Sequence, residues 1–261
     1  MDPIATLSCE GDIGMKRGIL SHALRFAYYE LLREHAYLLV LRLFLGVGWI
    51  RTCSEKLPEA GWWDGTAIST FLEQQLAGGH VVFPFYQDLI ANVFVPNALV
   101  LGLIIMFGEG LIGLSVLTGT FMNFGLLNGI LLNLNLIMAG AIDPSAFYLI
   151  IQTVLFISNT GAILGIDKLL SRKIPFALLV AQPQFELKYL WVEKVSFLGL
   201  IFVSGLIASY ATFYVQDWSP SSVKDPAMII VVLATFGALS SFITFLRLQW
   251  IGWGRPLELG W

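Results

Sequence analysis

The chain has 261 residues, of which 57% are hydrophobic and 13% charged, and its formal net charge is −3. That much apolar surface exceeds what one soluble core of this size can hide, which excludes an ordinary soluble domain and points to an integral membrane protein. Two cysteines, Cys9 and Cys53, with no CxxC pair, exclude a disulfide scaffold and argue against an intrachain dithiol centre.

Residues 1–34 lack a signal peptide's order of basic, apolar and small-residue regions, so the encoded N-terminus is expected to be the mature one. Within them, Ile19 to Arg33 alternates apolar and charged positions at helical spacing. This suits either an interfacial amphipathic helix or an extension of the first span. A bilayer crossing needs about 20 apolar residues, and six windows qualify: 36–57, 92–117, 121–141, 146–168, 192–215 and 227–248.

Charge sets the expected topology. The loop 58–91 contains no Lys or Arg but carries Glu59, Asp64, Glu73 and Asp88, so it is placed away from the cytoplasm. Lys16, Arg17, Arg25 and Arg33 precede the first span, Lys168, Arg172, Lys173, Lys188 and Lys194 follow the fourth, and Arg247 and Arg255 flank the end of the sixth. Six spans with both termini cytoplasmic put every one of these clusters inside. The outer loop is too rich in Trp62, Trp63, Phe71, Phe83, Phe85 and Tyr86 for a solvated linker. It is expected to cap the bundle with a short helix at about 66–75. The link TGTF between spans two and three predicts a tight antiparallel hairpin. No internal repeat of the transporter kind is evident.

Polar residues inside the spans are the candidates for function. Glu109 lies in IIMFGEGLIGLSVLTG, and counting rises along each span places it level with Arg42, with Asn128 and Asn159 close by. An isolated charge there costs about 2.5–3.5 kcal/mol, so an Arg42–Glu109 ion pair completed by the two amides is expected. That cluster either fixes helix packing or forms a substrate or quinone site. At the outer end of the first span, Arg51 and Glu55 stand i, i+4 and can pair, with Lys56 free to snorkel to the headgroups. This group reads as an interfacial anchor or as a cationic mouth for a sulfur oxyanion or quinone head. Gly102, Gly108, Gly110, Gly113, Gly119, Gly125 and Gly129 read as packing devices. The GxGxxG formed by Gly108, Gly110 and Gly113 follows no strand and is no nucleotide fingerprint. His22, His35 and His80 lack haem or metal spacing, and no metal site is expected.

The ordered phrases RLFLGVGWIRTCSEKL, GWWDGTAISTFL, GEGLIGLSVLTGTF, LLNGILLNLNLIMAG with Asp143-Pro144, and NTGAILGIDKLL resemble the DoxX/DoxD family of small membrane proteins over residues 38–172. Arg42, Gly46, Lys56, Glu109, Gly113, Gly119, Asn133, Asn135, Gly161 and Asp167 fall on the positions that carry the pattern. The resemblance implies a four-helix bundle over 35–172 and a subunit of a thiosulfate:quinone oxidoreductase, with quinone as the implied cofactor class. Residues 173–261 add two spans and a tail with Trp250, Trp253 and Trp261, which suits docking to other membrane subunits. No haem, flavin or iron–sulfur site is readable, and pigment or lipid would come with a larger complex. The alternative is therefore a non-catalytic accessory subunit of an electron-transfer or photosynthetic complex, in a bacterial inner membrane or a derived energy-transducing one.

Overall fold

The computed structural model describes residues 36–182, 190–216, 218 and 225–252. Among them there is no strand. The apolar runs become helices, and the Gly, Pro and Asn positions between them become breaks. After a 3-10 turn at Ala36–Leu38, α1 spans Leu39–Lys56. Three short helices follow in the loop region, α2 Ala60–Asp64, α3 Thr66–Ala77 and α4 Pro84–Leu89. Then come α5 Ala98–Thr118, α6 Met122–Met138, α7 Ser145–Ile157 and α8 Asp167–Leu170. The hairpin α9 Leu190–Thr212 and α10 Pro226–Gly252 closes the described residues. The interfacial helix expected at 19–33, the region beyond 252, and Cys9, His22 and His35 lie outside the described residues.

Ala98–Thr118, Leu190–Thr212 and Pro226–Leu246 are long and apolar enough to cross a membrane, while α6 and α7 are apolar but shorter. The helices also turn large apolar side chains outward: Val40, Phe44 and Val47 on α1, Ile104, Phe107 and Leu111 on α5, Leu198 and Phe202 on α9. Contiguous apolar surface of this kind marks contact with lipid or protein rather than water.

Two expected spans change shape. The second begins at Ala98 instead of 92, because Pro96 cannot continue a helix. The chain ahead of it widens into a π turn at Ile90–Phe94, with Val95 N–H donating to the Ile90 carbonyl at 2.9 Å. The fourth, expected to run to 168, stops at Ile157. Asn159 takes the left-handed conformation at φ 51°, a 3-10 turn occupies Thr160–Ala162, and Leu164 is left-handed again at φ 47°. A window average hides this break, because the turn residues sit among apolar neighbours.

Helix α1 packs along α5 at close quarters. A Cβ added at Gly113 would lie 2.8 Å from the Ile50 nitrogen and 3.0 Å from the Gly46 carbonyl oxygen, so the two backbones touch. Gly119 (φ 61°) and Phe121 (φ 49°) reverse the chain into α6, and the Ser115 hydroxyl holds the turn by donating to the Thr120 carbonyl at 2.9 Å. Residues 57–97 fold over one end as a helical cap; the α5–α6 turn lies at the opposite end. Buried apolar residues form one cluster under the cap, around Leu72, Phe83, Tyr86, Ile90 and Ile137, and a second around Leu45, Trp49, Ile112, Leu126 and Leu155.

The α9–α10 hairpin is tied at both ends. Asp225 caps α10 by accepting from Ala227 N–H at 2.9 Å, and its other oxygen accepts from Gln216 N–H at 2.9 Å. At the cap end the Phe83 ring packs on Tyr210 and Tyr214, with centroids 6.0 and 5.2 Å apart. At the far end the buried Glu193 carboxylate accepts from Ala177 N–H at 2.7 Å, and Lys194 donates to Gln249 at 3.0 Å.

Candidate functional site

The most concentrated chemistry lies just beneath the cap. Glu109 projects from α5 into the bundle and is 3% exposed. Both of its carboxylate oxygens accept from Nζ of Lys56, the last residue of α1. The Lys56 ammonium also stands 4.7 Å from the Trp62 ring centre, a cation–π contact, and Trp62 donates through its indole to Glu59 at 3.1 Å. Cys53 borders the same place: its sulfur would lie 2.9 Å from a Cβ at Gly110. Glu109 is thus a sealed acid whose counter-ion reaches in from the partly open side, with Lys56 18% exposed at the side chain.

The expected Arg42–Glu109 pair does not form. The Gly46–Gly113 contact sets the α1–α5 register, so Arg42, three residues from the start of α1, lies against Leu117 and Gly119. Glu109 is nine residues from the end of α5, a displacement of about 14 Å along the axis. Lys56 takes the role expected of Arg42 and is drawn inward instead of to the headgroups. Arg51 and Glu55 pair through Nε and Oε1 at 2.7 Å, with side chains 75% and 57% exposed.

Arg42 builds a second centre at the far end. Its guanidinium donates to the carbonyls of Val116 (2.8 Å), Leu117 (3.0 Å), Thr160 (3.0 Å) and Ile163 (2.7 Å). Those of Val116, Leu117 and Ile163 are left open by the end of α5 and by the broken fourth span, where apolar surroundings offer no water to satisfy them, while that of Thr160 also accepts from Ile163 N–H at 3.0 Å. Asp167, fully buried, is its complement: the carboxylate accepts from the N–H groups of Phe121 (2.7 Å), Met122 (2.9 Å) and Ala181 (3.0 Å). Gly119 leaves the space the guanidinium needs, since a Cβ there would come within 2.6 Å of Nη2.

The expected amides go elsewhere. Asn128 is exposed and bonds within its own helix to the Phe124 carbonyl at 2.8 Å. Asn159 serves as the left-handed break and meets Asn123 at 3.4 Å. Asn133 donates to Gln152 at 3.0 Å in the core, and Asn135 accepts from the Tyr86 hydroxyl at 3.1 Å, clamping the cap to α6. Burial pushes the Tyr86 phenol well above its ordinary pKa, so it stays a donor.

Sequence reasoning missed Gln152, Trp49, Asn123 and Glu193. Gln152 is fully buried in the space Gly129 leaves, and its Nε2 and the Trp49 Nε1 have no hydrogen-bond partner among the described residues. An amide in the middle of FYLIIQTVLF was the available signal. Among the described residues no three His, Cys, Asp or Glu side chains converge as metal ligands would. Compared with protein-family models, curated proteins and solved structures, the chain yields no match.

Proposed function

We propose that the chain is a multi-pass membrane protein of the DoxX/DoxD kind, six spans with both termini cytoplasmic, acting as a subunit in thiosulfate:quinone-type redox chemistry. The observation that carries the reading is where the pattern positions meet. Lys56 and Glu109 join beneath the cap, Gly46 and Gly113 touch at mid-helix, and Arg42, Gly119, Gly161 and Asp167 gather at the far end. Residues spread over more than a hundred positions thus form two centres and the contact between them. In this reading Glu109, held by Lys56 beneath the cap, serves as the proton-transferring carboxylate for a substrate reaching it from the outer face. The test is electron transfer from thiosulfate to a short-chain quinone analogue by the purified chain in detergent. Activity lost in Glu109→Gln upholds the reading, and equal turnover in the variant overturns it.

A second reading, a non-catalytic accessory subunit, is favoured by one observation: every polar group of Arg42 and Asp167 described above is spent on main-chain atoms, as in a structural fastening. Gentle extraction from the native membrane separates the two. Co-purification with a cofactor-bearing complex, with no turnover by the chain alone, supports the accessory role.

A further inference from the structure

Helix α8 is short, but its hydrogen bonding runs past its last residue. Leu170 N–H donates to the Ile166 carbonyl at 3.1 Å, Ser171 N–H to Asp167 at 2.8 Å, and Ile174 N–H to Leu170 at 2.8 Å. Residues 166–174 therefore make about two helical turns, in which positions three, four and seven apart share a face. One face carries Asp167 and Ser171 and is buried. The other carries Ile166, Leu169, Arg172 and Lys173, all exposed. Arg172 and Lys173 make no hydrogen bond or ion pair among the described residues. The carboxylates described at this end, Asp167 and Glu193, are buried and turned onto main-chain N–H groups, so neither neutralises the two cations. Trp191 marks the level: it is 74% exposed in the first turn of α9, two residues before the Glu193 that holds Ala177. An outward indole at the end of an apolar helix belongs among lipid headgroups. On the membrane reading, which this inference rests on, residues 166–174 lie at that interface, with Ile166 and Leu169 against acyl chains and the two cations toward the headgroups.

We propose that this face binds an anionic phospholipid of the leaflet at this end, its phosphate taken by Arg172 and Lys173 and its acyl chain lying along Ile166 and Leu169. The guanidinium fork can span two phosphate oxygens, while the ammonium acts as a point charge. Phosphatidylglycerol supplies the net negative charge that the two side chains lack, whereas phosphatidylcholine brings an ammonium of its own. A lipid fits better than a soluble anion because free phosphate would leave the adjoining apolar pair in water. The same two turns carry Asp167 on their inner face, so the lipid is held by the segment that fastens the α5–α6 turn.

The test is native mass spectrometry of the full chain released from nanodiscs that contain equal amounts of phosphatidylglycerol and phosphatidylcholine. The first lipid retained is expected to be phosphatidylglycerol. Each basic side chain at an anionic surface contributes about fivefold, so Arg172→Gln and Lys173→Gln should each lower the retained ratio about fivefold and the double variant about 25-fold. Arg51→Gln, which removes an exposed cation at the opposite end, should leave the ratio unchanged. Excess inorganic phosphate at constant ionic strength should not displace the lipid. No preference in the unaltered chain, a preference that survives in the double variant, an equal loss in Arg51→Gln, or displacement by phosphate each overturns the proposal. Alkaline carbonate washing is run alongside. A chain that stays in the membrane but shows no preference refutes the lipid site alone, whereas a chain washed off refutes the membrane reading itself.

Discussion

Lys56 and Glu109 are each other's main partners, and the cost of separating them sets how the site responds to substitution. A buried charge left alone is penalised far more than a pair removed together. Lys56→Met and Glu109→Gln are each expected to destabilise the chain by about 3 kcal/mol, and the double variant by clearly less than the sum. Thermal unfolding in detergent across the four proteins measures the coupling, and additivity would mean that the contact contributes nothing. At Gly119 two demands coincide, the left-handed backbone and the space taken by the Arg42 guanidinium. Gly119→Ala is therefore expected to lower stability by about 2 kcal/mol or more, read as a drop in melting temperature. The Glu109 partner was not legible in the sequence. Depth counting from window edges misplaced it by about two helical turns, and only the Gly46–Gly113 contact fixes the register that brings Lys56 to the site.

Among the elements, the hairpin α9–α10 and helix α5 were readable from hydropathy alone, and the cap helix expected at 66–75 is found as α3, Thr66–Ala77. The break after Ile157 was not, although Ser158, Asn159, Thr160 and Gly161 spell a turn. The apolar residues on either side outweighed them in a window of span length. Because Asn159 pays a left-handed penalty there, Asn159→Gly is expected to be neutral or stabilising within about 1 kcal/mol, and Asn159→Leu to destabilise by more than that. Helix α3 offers a pH readout. The Thr66 hydroxyl and N–H donate to the Asp64 carboxylate at 2.7 and 2.9 Å and hold its pKa below the usual carboxylate range. With the folded value depressed, the stabilisation is complete above the unfolded pKa near about 4 and is lost as pH falls through the folded value. Hydrogen-exchange protection in the first turn of α3, taken relative to the intrinsic rate at each pH, should fall on acidification, and Asp64→Asn should remove that pH dependence.

For the whole molecule, the charge-derived topology makes a single demand: residues of the cap and residues following α8 lie on opposite sides of one membrane. Glu73 and Lys173 are both exposed. In a Cys9→Ser, Cys53→Ser background, a membrane-impermeant maleimide added to intact cells is expected to label Glu73→Cys at once and Lys173→Cys only after permeabilisation. Equal labelling of both would overturn the topology. The far-end centre bears on how such a chain tolerates change. Arg42 and Asp167 grip carbonyl oxygens and amide nitrogens, atoms that every residue supplies, at Val116, Leu117, Thr160, Ile163, Phe121, Met122 and Ala181. The grip is therefore blind to side-chain identity at its contact points. In a saturation mutagenesis screen, the half-buried contact position Leu117 should accept many replacements, Arg42 and Asp167 almost none, and proline at Met122, the first residue of α6 where proline is ordinarily tolerated, should fail because it removes a gripped N–H.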